Sequence, residues 1–208
     1  MFSTDSAFYR LATWIYTFAL LNVLFLIVCL PVVTIPASTA ALFGVVRKLI
    51  RGDDSAIFRQ FFKQFAGNFK QSLIAGWILF LIGVFGFMDF HMAQLIHSAL
   101  GVFVTTTLLL IALLYISVII HIYPLMVHGY FTLRDLFTNA IKISLYKFHL
   151  TVANIVLIVV LAFVCLQFPF LYLFFFFSLA AYLTYWIVNL KFKKVFASEK
   201  KQDEISAK

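Results

Sequence analysis

The sequence predicts an all-α polytopic membrane protein with about five transmembrane helices and two cytoplasmic amphipathic elbow helices. Three observations carry this reading. The 208 residues are 64% hydrophobic and 12% charged, with a mean hydropathy of +1.04, whereas soluble domains run at about 45–50% apolar and about 25% charged. Apolar runs of about 20 residues, the length a bilayer crossing needs, recur along the chain. The 16 Lys and Arg are segregated, 6 between Arg47 and Lys70, 3 between Arg134 and Lys147 and 6 from Lys191 onward, with Arg10 apart. By the positive-inside rule both elbows and the C-terminus are cytoplasmic, and a five-span count places the N-terminus outside.

Residues 11–30 form the first apolar run, with Trp14 and Tyr16 as interface anchors. The run is longer than the roughly 7–15 residues of a signal-peptide core, so it reads as a span. Pro31 and Pro36 then bracket a proline break, since each lacks a backbone N–H and biases the residue before it away from helix. The break predicts a kink or a re-entrant turn over residues 31–41; a re-entrant hairpin would bring Arg10 to the inner side. Residues 42–51 continue as a short amphipathic segment, placed at the interface, with a hairpin returning from the outer side as the alternative.

Residues 53–72 predict the first elbow. Phe58, Phe61, Phe62, Phe65 and Phe69 fall on one stripe of a 3.6-residue period, opposite a polar face carrying Arg59, Gln60, Lys63, Gln64 and Asn68. Asp53, Asp54 and Ser55 supply capping oxygens ahead of it. Aromatics opposite cations suit a helix lying on the lipid–water boundary and turning into the bilayer at Leu73. Packing of the Phe face on a globular core is set aside on composition.

Span two covers residues 73–92 and carries Gly76, Gly83 and Gly86; span three covers 101–123 and closes at Pro124. Thr132 and Asp135 then have capping-box spacing, ahead of a second elbow with Leu133, Leu136 and Phe137 on its apolar face and Arg134 on its polar one. At an offset of 75 residues, Phe58, Arg59, Phe61 and Phe62 align with Leu133, Arg134, Leu136 and Phe137. A duplicated unit and two unrelated elbows at one face both give this pattern. Span four covers 150–166, a tight turn falls at residues 167–170, and span five covers 171–190. The whole chain, 1–208, reads as one integral membrane domain, with 195–208 a short disordered cytoplasmic tail.

Motifs for chemistry are scarce. The sequence has no phosphate-binding loop, no H-E-x-x-H, no C-x-x-C and no G-x-S-x-G turn, so no catalytic residues, cofactor or metal are assigned and the chain reads as non-enzymatic. Asp89, His91 and His97 are the nearest approach to a metal set, but residues two apart do not share a helix face, and solvation at the boundary explains them better. His121 and His128 each suit either a pH-sensitive role or a bond to a backbone carbonyl. The span centres hold neutral polar groups, chiefly Asn22, Thr105, Thr106, Thr107, Ser117 and Asn154, suited to interhelical hydrogen bonds. The basic balance follows topology, so nucleic acid is not an expected partner.

The runs at residues 21–35, 36–42, 45–52 and 61–71, including Leu30-Pro31-Val32-Val33-Thr34 and Phe61-Phe62-Lys63-Gln64-Phe65, resemble the signature of the YesL family. These are small multi-pass membrane proteins of Gram-positive bacteria without an established activity or catalytic residues. The resemblance implies a bacterial plasma membrane location and, because members accompany genes for carbohydrate ABC importers and polysaccharide-degrading enzymes, a role in glycan uptake. The expected function is a non-enzymatic accessory or assembly protein of carbohydrate (oligosaccharide) ABC import, with importer permease subunits and membrane lipids as partners. The alternative is an independent carrier or channel for a small neutral solute such as a sugar. A sugar-responsive regulator is a third reading.

Overall fold

A computed structural model describes the backbone of residues 7–53, 56–96, 98–129 and 131–206, and side chains in those ranges up to residue 192. Seven α-helices make up the described chain: α1 (Ala7–Val28), α2 (Ile35–Ile50), α3 (Ile57–Gln94), α4 (Ala99–His128), α5 (Leu133–Leu145), α6 (Phe148–Gln167) and α7 (Pro169–Ser206). All except α5 contain a segment long and apolar enough to cross a membrane, six such helices among the described residues where about five are expected. With all six crossing, the start of α1 and the end of α7 lie at the same face, whereas a five-span count places the N-terminus outside.

The additional crossing is α2, and its sequence explains why it was read as a break. Pro36 lies in its first turn, where the missing N–H would have had no helical partner, so the proline starts the helix instead of interrupting it. The break shrinks to residues 29–34, where a 3-10 turn, Val32–Thr34, reverses the chain. Ala37, Ala40, Ala41 and Gly44 then recur at i, i+3, i+4 and i+7, all buried. Small residues on one face let neighbouring backbones approach closely. Helix α2 packs against α1, α3, α4 and α7, and Val45 and Val46 are fully buried at the centre of the core with Leu21, Ile122, Leu125 and Val188.

The first elbow is not a separate helix. Helix α3 runs unbroken from Ile57 to Gln94 through Leu73, about 57 Å at 1.5 Å per residue, nearly twice the ~30 Å hydrocarbon layer. No proline interrupts residues 57–94, and the amphipathic start is held upright by Phe61, which is fully buried in the core. The second elbow is a separate helix as expected. Thr132 Oγ1 accepts from the Asp135 N–H at 3.3 Å and donates to Asp135 Oδ2 at 2.6 Å, capping α5. Pro124 does not close span three, because α4 continues to His128, and Arg47 of α2 donates to the Val127 carbonyl in that last turn. Helix α7 continues to Ser206, so the tail expected to be disordered is helical backbone as far as that residue; residues 200–204, Lys-Lys-Gln-Asp-Glu, include good helix formers.

Helices α1 and α7 pack antiparallel, with Phe25 against Phe177 and Phe18 against Tyr182, ring centroids 5.0 and 5.4 Å apart. Asn22 locks the pair. Its Nδ2 donates to the Leu173 carbonyl at 2.6 Å and its Oδ1 accepts from the Ser178 N–H at 3.0 Å, so one amide is inserted into the backbone ladder of α7.

Candidate functional site

The predicted elbow residues do not share one environment. Phe61 is fully buried, Phe65 is partly buried against the core, Phe69 is half-buried, and Phe58 and Phe62 are exposed. Arg59 and Lys63 are exposed beside them. In α5 the 75-residue equivalent of Phe61, Leu136, is also fully buried; Leu133 and Phe137 pack against the same core and Arg134 is exposed. One aligned pair, Phe61 and Leu136, therefore shares the core, although one elbow continues into its span and the other ends at Leu145. Pro31 is exposed in the turn, and Pro36 abuts Gly76 of α3. Asp89 and His91 are exposed, and His97 lies outside the described residues, as do Asp54 and Ser55 of the expected N-cap. No cluster of three metal-ligating side chains occurs among the described residues.

The polar centre of the molecule is a residue that the sequence reading assigned to the end of span five. Lys191 is fully buried. Its Nζ donates to Thr151 Oγ1 at 2.6 Å, to His121 Nε2 at 3.0 Å and to the Ile143 carbonyl at 3.3 Å, so three ammonium protons meet three acceptors. The tautomer of His121 follows from its other nitrogen. Nδ1 lies 2.7 Å from the Ser117 carbonyl, which can only accept, so Nδ1 carries the proton and Nε2 offers its lone pair to the lysine. None of the three acceptors is a carboxylate. Compensation comes from α5, whose C-terminal carbonyls have lost their helical partners: Lys191 takes Ile143, and Thr151 donates to the Ser144 carbonyl at 3.1 Å. A cation at that end of a helix also meets the negative pole of its dipole.

A second polar group lies alongside. Tyr185 Oη is 3.3 Å from His128 Nδ1, and the His128 ring packs against Phe192 with centroids 4.5 Å apart and planes tilted by 50°. Arg47, bound to the Val127 carbonyl, also reaches the Tyr185 hydroxyl. Together the two groups tie α2, α4, α5, α6 and α7 at the end of the bundle where the cations gather. The signal missed in the sequence is local: Lys191 stands between Leu190 and Phe192, whereas Lys193 and Lys194 adjoin each other. Chemically the arrangement is a set of donors matched to acceptors, and it positions helices.

A family model described as a protein of unknown function, DUF624, matches residues 18–90, from the middle of α1 to near the end of α3. The uncharacterized protein YteU of Bacillus subtilis (strain 168) is 30% identical over 177 residues, 83% of this chain and 79% of YteU. The chain belongs to the YesL-like family of unknown function. YesL of the same organism, also uncharacterized, is 28% identical over 136 residues, 64% of either chain. No solved structure matches the chain. The family match at 18–90 contains the exposed α1–α2 turn, the small-residue face of α2 and Phe61, the last two contributing to the core.

Proposed function

We propose that this family member is a non-enzymatic accessory or assembly protein of carbohydrate (oligosaccharide) ABC import in the bacterial plasma membrane, with its clustered cations, α5 and both chain ends in the cytoplasm. One observation supports a partner-binding role most directly. From Phe80 to Leu113, the far halves of α3 and α4, only Ala93 and Gly101 are buried among the described residues. This hairpin carries a cleft of about 330 Å³ lined by Gly83, Gly86, Phe87, Leu109, Ala112 and Tyr115. Glycine and alanine in an apolar cleft suit the close approach of another transmembrane helix, and a permease subunit of the importer is the occupant expected. The association with glycan import rests on the family resemblance.

The test is mild-detergent purification of the tagged protein from native membranes of cells grown on a polysaccharide, with mass spectrometry of what accompanies it. Importer permease subunits in near-stoichiometric amount are expected. Gly86→Leu, at a position where a Cβ meets nothing within 4 Å, is expected to fill the cleft, leave the chain folded and reduce the captured permease at least about tenfold, the equivalent of ~1.4 kcal/mol. A homo-oligomer without a permease would overturn the accessory role and favour the carrier.

Orientation has its own test. In a Cys29→Ala, Cys165→Ala background, single cysteines replace Arg10, Gly52 or Ser98. An impermeant maleimide added to intact cells is expected to label Ser98→Cys alone, and Arg10→Cys and Gly52→Cys only after permeabilisation. Labelling of Arg10→Cys from outside would exclude the six-crossing topology.

A further inference from the structure

The cation-rich end of the bundle carries a recess of about 610 Å³ lined by Lys48, Ala56, Arg59, Gln60 and Lys63. Arg59 and Lys63 are four residues apart on α3, where like charges face and repel each other. The one carboxylate nearby among the described residues, Asp53, is engaged: it lies 3.8 Å from Lys48 Nζ and accepts from Gln60 Nε2 at 3.4 Å. Among the described residues three cations stand against one carboxylate, a positive balance. Ala56 also belongs to the wall of a second cleft, about 290 Å³, lined by Tyr16, Leu20, Leu49, Ile57 and Phe58 among others. The two clefts adjoin at Ala56, one lined by cations and the other largely by apolar side chains, the pair of environments that a phosphate headgroup and an acyl chain require. Exposed Phe58, in the wall of this second cleft, packs on exposed Phe62 with ring centroids 4.8 Å apart.

We propose that the two clefts form one site for an anionic phospholipid, its phosphate among Lys48, Arg59 and Lys63 and an acyl chain in the groove beside Leu20 and Ile57. A phosphate placed between Arg59 and Lys63 relieves their repulsion and forms charge-assisted hydrogen bonds with both. A free phosphate would satisfy the recess equally but has no use for the adjoining apolar groove, and that groove is why the lipid is the ligand assigned. The site lies on a different surface from the α3–α4 cleft and stands or falls independently of the importer partnership.

The test uses the full-length protein in a neutral detergent, with bound lipid counted by native mass spectrometry during titration with dioleoyl phosphatidylglycerol or dioleoyl phosphatidylcholine. Phosphatidylglycerol is expected to half-saturate the protein at a concentration at least about tenfold lower. Arg59→Gln with Lys63→Gln is expected to weaken phosphatidylglycerol binding about tenfold or more, each cation near a membrane surface contributing about fivefold, with phosphatidylcholine unaffected. Both side chains are exposed, and Arg134→Gln with Lys142→Gln, exposed cations on α5, is expected to bind like the parent. Equal binding of the two lipids, or phosphatidylglycerol binding unchanged in the Arg59, Lys63 variant, would overturn the site. Displacement of the lipid by glycerol phosphate at equal concentration would also overturn it, as the signature of a free-anion site.

Discussion

Replacing Lys191 with methionine is expected to lower the unfolding free energy by about 2–4 kcal/mol, although methionine fills a similar volume and removes a buried charge. The direction follows from what stays behind. Methionine leaves His121 Nε2, the Ile143 carbonyl and one side of Thr151 Oγ1 without the donor that satisfied them, and a buried polar group stripped of its partner costs about 1–3 kcal/mol. With a single carboxylate as partner, exchanging both members of the pair for apolar residues is often neutral; here the acceptors include a main-chain carbonyl that no substitution removes. The check is thermal unfolding in mild detergent together with a double-mutant cycle using Thr151→Val. A coupling of about 1–3 kcal/mol is expected between Lys191 and Thr151, and a coupling near zero would mean that the lysine is not bound in this network.

How much of this was legible in the sequence depends on how local each signal was. Asn22 was read as an interhelical hydrogen bonder, and it bridges α1 to the backbone of α7. Asn154 was read the same way, and its Oδ1 accepts from Thr184 of α7 at 3.4 Å. Thr106 and Thr107 carried the same apparent promise but are exposed and return their hydroxyl protons to Val102 and Phe103 of their own helix. Composition alone does not separate the cases, because an isolated polar residue in an apolar run gives no sign of which side faces protein. The amphipathic period of residues 53–72 predicts a helix, and α3 covers it from Ile57; of its polar face Arg59 and Lys63 are exposed whereas Gln60 is buried. It did not reveal whether the apolar stripe would meet lipid or protein, and Phe61 meets protein while Phe58 meets the surroundings. Pro36 misled because a proline at the first turn of a helix and a proline that breaks one are the same letter; the buried small-residue period that follows was the clue to a helix. The Lys191 network joins residues 40 to 70 positions apart and depends on where α5 stops, which no periodicity encodes.

Gly76→Ala is expected to be among the most damaging single-methyl changes in the chain. A Cβ at this position would overlap Cγ and Cβ of Pro36 and come within 3.3 Å of Tyr123 Oη. The pyrrolidine ring offers no rotamer by which to retreat, and Pro36 is fixed in the first turn of α2. Relief therefore requires α2 and α3 to separate along their contact, loosening buried Ala37, Ala40 and Ala41 on the one side and Ala75 and Leu79 on the other. Overpacking of this kind costs about 1–3 kcal/mol or more, opposed by the roughly 0.5–1 kcal/mol that alanine gains over glycine within a helix. Gly67→Ala isolates the second term, since a Cβ there meets nothing within 4 Å in the same helix. The melting temperature in detergent is expected to fall for Gly76→Ala and to hold or rise slightly for Gly67→Ala. Gly83→Ala should be intermediate, because its Cβ would lie 2.6 Å from Tyr115 Oη, a side-chain end that can swing aside by surrendering its hydrogen bond to the Leu79 carbonyl. If Gly76→Ala melted with Gly67→Ala, the α2–α3 contact would have to be looser than the meeting of Pro36 and Gly76 requires, and the placement of α2 at the centre of the bundle would lose its tightest support.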